Sequence, residues 1–359
     1  MAGPEFPSTD VLTALGLGDA SLERVPTGLI NTSWFVVVPG GERRVLQCVN
    51  SMFPPEVNAD IDAVTRHLES RGLITPRLIP MPNGKPYFQT EDAVWRQLTY
   101  IAGNTYDAVQ NAHQADEAGA LLGRFHRAMG ELKHTFVNPR SGVHDTARHI
   151  AHLSTTLEQC KDHSQITPVQ ALADEVFELV NGLPDLGDVP DRLVHGDPKI
   201  SNIVFAEGTN EALCLIDLDT LGRMPIVLDL GDAFRSWCNP LDEDEPGAEF
   251  SLLSFHSAIG GYARATEGFL NDNEWRKIPA ATLTITVELA TRFCADALNE
   301  SYFAWNPDRF RSASEHNQAR TRSQINLAHS IVAQREQLET EVMAAFGTRE
   351  IRGRPVTRP

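Results

Sequence analysis

The stretch Leu193-Val-His-Gly-Asp-Pro-Lys-Ile-Ser-Asn-Ile-Val-Phe205, followed by Cys214-Leu-Ile-Asp-Leu-Asp-Thr220, decides the fold predicted for this chain. Apolar residues lead into His195-Gly-Asp197, a β-branched run leads away from Asn202, and a second apolar run ends at Asp217. Gly, Asp, Pro and Asn also form ordinary turns, but strand-like residues on both sides favour a functional loop. Two strands that bring carboxylates to one edge suit phosphoryl transfer, in which one carboxylate orients the attacking hydroxyl while the other, with an amide oxygen, holds Mg²⁺.

This pattern resembles the catalytic and metal loops of the protein-kinase-like fold, and the spelling His195-Gly-Asp197 is similar to its aminoglycoside and small-molecule kinase branch. The resemblance implies an α+β, bilobal protein. Residues 1–101 would form a nucleotide-binding N-lobe with a small antiparallel β-sheet and one main helix. Residues 102–348 would form a larger, mostly helical C-lobe with the catalytic loop and the acceptor site, and the basic segment 349–359 is predicted to be disordered.

The resemblance also implies roles for individual residues. Asp197 would orient the acceptor hydroxyl, and Asn202 and Asp217 would bind Mg²⁺. His195 would support the loop, and Asp229 resembles the family's aspartate that holds the catalytic loop from below. The implied cofactors are ATP and Mg²⁺.

Composition limits the possible partners. The length of 359 residues exceeds a typical single core, which agrees with two lobes. The formal charge of −17 argues against a nucleic acid or an anionic membrane as partner. The chain has neither a secretion signal nor an apolar run of membrane-spanning length, so a cytoplasmic location is predicted, with the state left open between monomer and dimer. The five cysteines lack metal-type spacing and are predicted to be mostly buried free thiols.

The N-terminal third has the pattern of a kinase-type sheet. A polar turn, Thr27-Gly-Leu-Ile-Asn-Thr-Ser33, precedes a strand that ends near residue 38, Gly40-Gly41 indicates a hairpin, and residues 43–49 form the returning strand. A helix is predicted for residues 54–71, and further strands for 78–79, 85–89 and 93–101. In the kinase-like interpretation the turn lies over the ATP phosphates, although a plain hairpin tip is an equally good interpretation of the local sequence. The nucleotide-binding candidates are Gly28, Asn31, Thr32 and Ser33 in the turn, and Thr99 and Ile101 at the hinge, where backbone groups would meet the adenine edge.

One departure from the wider kinase pattern concerns the positive charge near the phosphates. Gln47 occupies the strand position that normally presents an ATP-binding lysine, and the following helix has no glutamate to pair with it. Lys199, close to Asp197, is therefore the candidate cation near the γ-phosphate, with a surface lysine as the alternative.

The C-terminal two thirds is predicted to be mainly helical. Helices are expected from residue 114, over 146–160, from 225, and over 250–267, 278–298 and 315–346. His126, His144, His149 and His152 are interpreted as structural or solvated, because none is paired at metal-ligand spacing. The acidic segment 241–249 is interpreted as a solvated loop.

Several stretches resemble the N-acetylhexosamine 1-kinase group among the aminoglycoside-phosphotransferase-like kinases. They are Gly28-Leu-Ile-Asn-Thr-Ser33, Val45-Leu-Gln-Cys-Val-Asn-Ser-Met-Phe-Pro54, the catalytic block, and residues 292–321. The resemblance implies phosphorylation of a sugar, at the anomeric hydroxyl of an N-acetylhexosamine or related hexose, with Asp219, Arg292 and Asp296 facing the acceptor. An Arg292–Asp296 pair on a helix surface is the simpler alternative. Other functions left open are a kinase for a cationic or amino-alcohol acceptor and a catalytically silent binding protein of the same fold.

Overall fold

The computed structural model describes residues 4, 6–25, 31–138, 144–241 and 243–347, so the predicted tail 349–359 lies outside the described residues. Within these ranges no helix is both long and apolar enough to cross a membrane.

The N-terminal region is an antiparallel sheet with one principal helix. Its strands are β1 (Ser21–Arg24), β2 (Thr32–Val37), β3 (Arg43–Val49), β4 (Leu78–Ile79), β5 (Phe88–Gln89) and β6 (Val94–Thr99). They run in the order β1-β2-β3-β6-β4, with β5 also paired to β6. Helix α1 (Thr9–Ala14) precedes the sheet, and α2 (Val57–Ser70) follows β3. The predicted hairpin, main helix and later strands are therefore all present.

Local sequence explains why the β2–β3 hairpin forms. Gly40 and Gly41 both have positive φ, 101° and 89°, a conformation that the tight connection needs and that glycine adopts without strain. Alternate residues of β2, Trp34 and Val36, are fully buried and pack with Trp95 of β6. This face of the sheet makes its own apolar core with α1.

Edge strand β1 is present in the structure but is not predicted from the sequence. Its sequence Ser-Leu-Glu-Arg has a single apolar residue, so it carries little of the alternation that identifies a half-buried strand. It pairs only with β2, at the end of the sheet.

The C-terminal region is built around helix α9 (Ile278–Asn299), which is buried on nearly every face. The other helices are α3 (Ala112–Glu131), α4 (Thr146–Gln159), α5 (Ile166–Asn181), α6 (Ile226–Trp237), α7 (Leu252–Ala265), α8 (Asp272–Trp275), α10 (Ala313–Ala333) and α11 (Arg335–Gly347). Two short hairpin-like pairs complete it: β7 (Asp191–Val194) with β10 (Gly222–Pro225), and β8 (Ile203–Phe205) with β9 (Ala212–Leu215). The segment 193–220 runs from the end of β7 through β8 and β9 to the residues just before β10.

Two helical predictions need correction. Helix α5 is absent from the predicted elements, and Pro168 lies in its first turn, where a helix tolerates proline. The single helix predicted over 315–346 is divided at Gln334. No glycine or proline marks that break; instead the Gln334 side chain donates to the Phe250 carbonyl oxygen, so a tertiary contact sets it.

The cysteines agree with the predicted buried thiols. All five are free, four of them are buried, and Cys160 is partly exposed. The predicted boundary between residues 101 and 102 stays a prediction.

Candidate active site

The catalytic loop leaves β7 and turns sharply at Gly196. This residue has φ +85°, and a Cβ there would lie 2.3 Å from the Thr220 carbonyl oxygen, so only glycine fits. The Thr220 hydroxyl donates to the His195 carbonyl oxygen at 2.9 Å. The loop is thereby held directly against the segment that carries Asp217 and Asp219.

Asp229 of α6 supports the loop from beneath. Its carboxylate accepts from the Gly196 backbone N–H at 2.6 Å and from the His195 N–H at 3.4 Å, and it lies 2.9 Å from His126 Nε2. Burial opposes ionisation, but the hydrogen bonds from His126 and from the Gly196 N–H, together with the two neighbouring imidazoles, outweigh it and lower the pKa of Asp229. The carboxylate is therefore charged when it orients the loop, in the arrangement that the sequence resemblance implies.

His195 helps to fix the position of Asp197, two residues further along the loop. Burial lowers the pKa of His195, so its ring is neutral at neutral pH. Nε2 donates to the Ile216 carbonyl oxygen at 3.0 Å, and Nδ1 accepts from the Asp197 backbone N–H at 3.3 Å. One ring thus joins the catalytic loop to the end of β9.

Asp197 is a charged carboxylate at the centre of the loop. Asn202 Nδ2 donates to its carbonyl oxygen at 2.8 Å and to its Oδ2 at 3.1 Å, and Lys199 Nζ lies 3.1 Å from Oδ2. Burial would raise the pKa of Asp197, but the charge and hydrogen bond of Lys199, together with His195 and Arg235, outweigh it and lower the pKa. A charged carboxylate can accept a hydrogen bond from an incoming hydroxyl.

Asp217 lies just beyond β9 with a left-handed backbone, φ 62° and ψ 58°. Burial, then the neighbouring carboxylates of Asp219 and Asp197, raise its pKa to about 7. A divalent cation would relieve that repulsion. In the described part of the chain no cluster of three or more His, Cys, Asp or Glu residues could hold a metal. Asp217 and the free Oδ1 of Asn202 could supply two oxygen ligands, which suits Mg²⁺ completed by phosphate and water oxygens.

Comparison with known families decides the assignment. A family model described as the phosphotransferase enzyme family, APH, matches residues 21–267, which is more than half of the chain. The chain belongs to the phosphotransferase enzyme family.

Solved kinase structures resemble this phosphotransferase in fold. A microcompartment-associated aminopropanol kinase is 15% identical with a TM-score of 0.62, covering 91% of this chain and 97% of that one. An amicoumacin kinase in complex with AMP-PNP, Ca²⁺ and Ami is 16% identical with a TM-score of 0.58, covering 85% and 87%. A choline/ethanolamine kinase family protein from Mesorhizobium loti is 14% identical with a TM-score of 0.55, covering 94% and 97%. With the family match, these similarities confirm the predicted protein-kinase-like fold.

Several predicted nucleotide-binding residues of the phosphotransferase lie close together, on β3 and at the beginning of β2. Gly28 lies outside the described residues. Asn31 donates through Nδ2 to Asp219 Oδ2 at 2.7 Å, and its Oδ1 accepts from a backbone N–H. Gln47 donates to the Ser33 hydroxyl at 3.1 Å. Thr32, between them on β2, is half-buried.

The two predicted hinge residues differ in whether their backbone groups are already hydrogen-bonded. The Thr99 N–H donates to the Arg77 carbonyl oxygen, and its hydroxyl accepts from the Arg77 N–H, both at 2.9 Å. That N–H is therefore engaged within the sheet. Within the described ranges, Ile101 makes no hydrogen bond through its backbone, so its N–H and C=O stay available for an adenine edge.

Arg96 of β6 is the main residue absent from the predicted site. Its Nη1 and Nη2 donate to the two Asp219 oxygens at 2.7 and 2.6 Å, and its Nε donates to Gln47 Oε1 at 2.8 Å. Arg96 and Asp219 are 2% and 0% exposed. The strand register pairs Gln47 directly with Arg96, so an arginine in the strand opposite Gln47 was the available clue. The cation nearest to the predicted lysine position is therefore Arg96, whereas Lys199 lies beside Asp197.

The predicted acceptor carboxylates have other partners. Both oxygens of Asp219 accept from the N-terminal region, as described above. Asp296 accepts from three consecutive backbone N–H groups and from Asn317 Nδ2, all at 2.9–3.0 Å, so it orders the turn after α9. Neither carboxylate has the contacts expected of an acceptor ligand, because the structure satisfies each internally. Arg292 is half-buried, with its guanidinium 5.5 Å from the ring centres of Tyr302 and Phe303.

A buried cluster on α9 and α4 lies close to the catalytic carboxylate and was not predicted. Glu288 accepts from His144 Nδ1 at 2.9 Å and from the Thr146 hydroxyl at 2.6 Å. Burial lowers the pKa of His144, but Glu288 and then Asp232 raise it above its ordinary value. Its Nε2 is buried without a hydrogen-bond partner in the described part of the chain. Asp232 of α6 also has a raised pKa, because burial and the charge of Asp197 outweigh the effect of Arg235.

The acidic segment 241–249 is docked rather than solvated. Asp244 Oδ1 lies 2.6 Å from His316 Nε2 and 2.9 Å from Arg320 Nε, both on α10. Glu243 lies 2.5 Å from Arg235 of α6. The local charge run predicted exposure, but basic residues distant in sequence neutralise it.

Proposed function

We propose that this phosphotransferase transfers the γ-phosphoryl group of ATP to a hydroxyl of a small molecule with Mg²⁺. The observation that supports this best is the charged Asp197 carboxylate, held by Asn202 and adjacent to Asp217. Phosphoryl transfer needs a group that orients the hydroxyl and oxygen ligands for a metal that neutralises phosphate charge. The amicoumacin kinase of the same fold, solved with AMP-PNP and Ca²⁺, also supports a nucleotide and a divalent cation.

Each residue would have a distinct role. Asp197 would accept the hydrogen bond of the acceptor hydroxyl and orient its oxygen. Asn202 would fix that carboxylate through Nδ2 while its Oδ1, with Asp217, faces the cation. Lys199, whose pKa is raised by the carboxylates of Asp197 and Asp217 against the effect of burial, would stay protonated and lower the negative charge of the loop. Mg²⁺, when bound, would supply charge neutralisation at the phosphates.

For the acceptor we propose a sugar, with the anomeric hydroxyl of an N-acetylhexosamine or related hexose first. The acceptor side would be formed by Asp232, Arg292 and the unpartnered His144 Nε2. These groups would offer both hydrogen-bond donors and acceptors, which the recognition of sugar hydroxyl groups requires. Three carboxylates of this region already have a basic partner, which does not favour a cationic acceptor: Asp197 with Lys199, Asp232 with Arg235, and Glu288 with His144.

An amino-alcohol acceptor is the second candidate. Its support comes from the solved aminopropanol kinase and the choline/ethanolamine kinase family protein, which have this fold. Because Arg235 is shared between Asp232 and Glu243, one carboxylate there could pair with an ammonium group. A catalytically silent protein would bind nucleotide but form no ADP.

A coupled ADP-release assay across acceptors separates these functions. The panel is N-acetylhexosamines, glucosamine, galactose, choline, homoserine and aminoglycosides, with ³¹P NMR of the product. A 1-phosphate, labile in mild acid, supports the sugar proposal, whereas turnover of only choline or homoserine overturns it and leaves the kinase. Asp197→Asn should lower kcat by about 10³-fold or more, because base and positioning are lost together. Exposed Asp162→Asn is the control, and near-normal turnover of Asp197→Asn would overturn the kinase assignment itself.

A further inference from the structure

The site lacks both members of the ion pair that a kinase-like sheet and helix normally supply. Gln47 is an amide at the lysine position, and α2 presents Asn58, another amide, toward the same point. The nearby acid Asp60 is buried but accepts from His134 Nε2 and from the backbone N–H groups of Val137 and Asn138 at 2.7–2.9 Å. A replacement pair must therefore come from other elements.

Arg96 and Asp219 meet between these two amides. Besides its two bonds to Asp219 and its bond to Gln47, Arg96 donates through Nη1 to Asn58 Oδ1 at 3.3 Å. Four of its five N–H groups thus have acceptors. In the described ranges the remaining N–H, on Nη2, has none. Of these three partners only Asp219 is charged. The amides of Gln47 and Asn58 fix the position of the guanidinium without adding a second negative charge.

Arg96 is surrounded by residues that the sequence predicts for the nucleotide site. Asn31 and Ser33, at the start of β2, join it through Asp219 and Gln47. On the other side its partner Asp219 lies two residues beyond Asp217, the candidate metal ligand. The guanidinium therefore lies between the strand that follows the phosphate turn and the metal edge.

We propose that Arg96 is the phosphate-binding cation of the nucleotide site and that Asp219 is the carboxylate that positions it. This inference rests on the proposed kinase function and deepens it. In this arrangement the cation is on β6 instead of the neighbouring strand β3, and its carboxylate is in the segment after β9 instead of on helix α2. The remaining N–H of Nη2 would donate to an α- or β-phosphate oxygen of the nucleoside triphosphate, a geometry that guanidinium groups form readily.

The pair also joins the two regions of the protein, because β6 belongs to the sheet and Asp219 to the catalytic segment. Nucleotide binding and the relative position of these regions would then depend on the same side chains. Asp219 is consequently a positioning residue for Arg96 rather than a contact for the acceptor.

Isothermal titration of ATP, ADP and adenosine in the presence of Mg²⁺ tests the proposal without requiring turnover. Arg96→Met should weaken ATP and ADP binding by about 10- to 100-fold, the scale of a lost charged hydrogen bond, and change adenosine binding less than about twofold. The matched control is Arg44→Met, since Arg44 on β3 also bonds across to β6, through Gln97, but away from the site. Its affinities should equal those of the wild type.

A second pair of variants separates phosphate binding from folding. Gln47→Lys combined with Arg96→Met should recover at least part of the ATP affinity, because it returns a cation from the adjacent strand. If Arg96→Met does not fold, Arg96→Lys is titrated instead. It should lose more affinity for ATP than for adenosine. Equal losses for ATP and adenosine, or unchanged ATP binding, overturn the inference. A wild-type protein that binds no nucleotide at all overturns the proposed function instead.

Discussion

Replacing Asp229 by asparagine tests how the catalytic loop is held. The substitution keeps shape and volume but removes the charge of a fully buried carboxylate that accepts from Gly196, His195 and His126. His126 can respond, because its other nitrogen, Nδ1, lies 2.9 Å from the Tyr262 hydroxyl and either ring nitrogen can carry the proton. With that tautomer change, the amide oxygen can keep the Gly196 N–H and the amide nitrogen can donate to His126. The longer bond from the His195 N–H, which uses the same carboxylate oxygen as His126, is lost.

The expected cost follows from this rearrangement. The short contacts to Gly196 N–H, 2.6 Å, and His126, 2.9 Å, change from charged to neutral hydrogen bonds. Charged hydrogen bonds contribute about 1 kcal/mol more than neutral ones, so Asp229→Asn should lose about 2 kcal/mol in the free energy of unfolding. Asp229→Ala leaves the buried donors without acceptors and should lose about 4 kcal/mol or more. The surface control Asp116→Asn, which loses an exposed pair with Arg264, should lose under about 1 kcal/mol.

Urea unfolding and steady-state kinetics of the three variants measure these effects. Because the folded-state pKa of Asp229 is lowered, its contribution is present above the unfolded pKa of about 3.9 and is lost as pH falls through the folded value. The deficit of Asp229→Asn should therefore be constant from pH 7 to 5. In kinetics, kcat should fall while the KM for ATP changes little, since the shifted loop carries Asp197. If Asp229→Asn is no less stable than Asp116→Asn and retains full kcat, Asp229 does not position the loop.

Three further predictions concern the loop, the α9 cluster and the acidic segment. Gly196→Ala should lower both thermal stability and kcat, because its Cβ would lie 2.3 Å from the Thr220 carbonyl oxygen at φ +85°; an active, equally stable variant would contradict the described turn. The pKa of His144 is raised by Glu288 despite burial, so its stabilising charge is present below about pH 6.5 and is lost as pH rises through the raised value. The Tm difference between wild type and His144→Gln should therefore be larger at pH 6 than at pH 8.5, and a constant difference would argue against the ion pair. Asp244→Asn should increase limited proteolysis within 241–249, since Arg320 and His316 on α10 hold that segment through this carboxylate; unchanged cleavage would show that other contacts suffice.

The sequence predicted best those features that depend on neighbouring residues. The β2–β3 hairpin follows from Gly40-Gly41 between alternating strands, and α9 follows from a long apolar run. The order of turn, strand and aspartate around the catalytic loop needs only local spacing. These elements are encoded within a few residues, so periodicity and turn chemistry suffice to find them.

The remaining features depend on contacts between distant residues. Arg96 reaches Asp219, 123 residues away, and Glu288 meets His144 across 144 residues. No local period records such pairs, so Arg96 was missed and the acidic segment 241–249 was predicted to be solvated. The role of Lys199 near the γ-phosphate stays a prediction. The same reason explains the acceptor residues: Asp296 is spaced i, i+4 from Arg292 but bonds to the backbone that follows its helix.

Because the strand register places Gln47 opposite Arg96, substitutions at these two positions in related proteins depend on each other. A lysine at position 47 alone would put a second cation beside a buried guanidinium, whereas loss of Arg96 alone would leave Asp219 charged and unpaired in the interior. Breaking a buried pair of this kind costs about 3–5 kcal/mol, enough to remove much of a protein's stability. Lineages can therefore exchange the two arrangements only through coupled substitutions. A lysine at position 47 and an arginine at position 96 should consequently be mutually exclusive in related sequences.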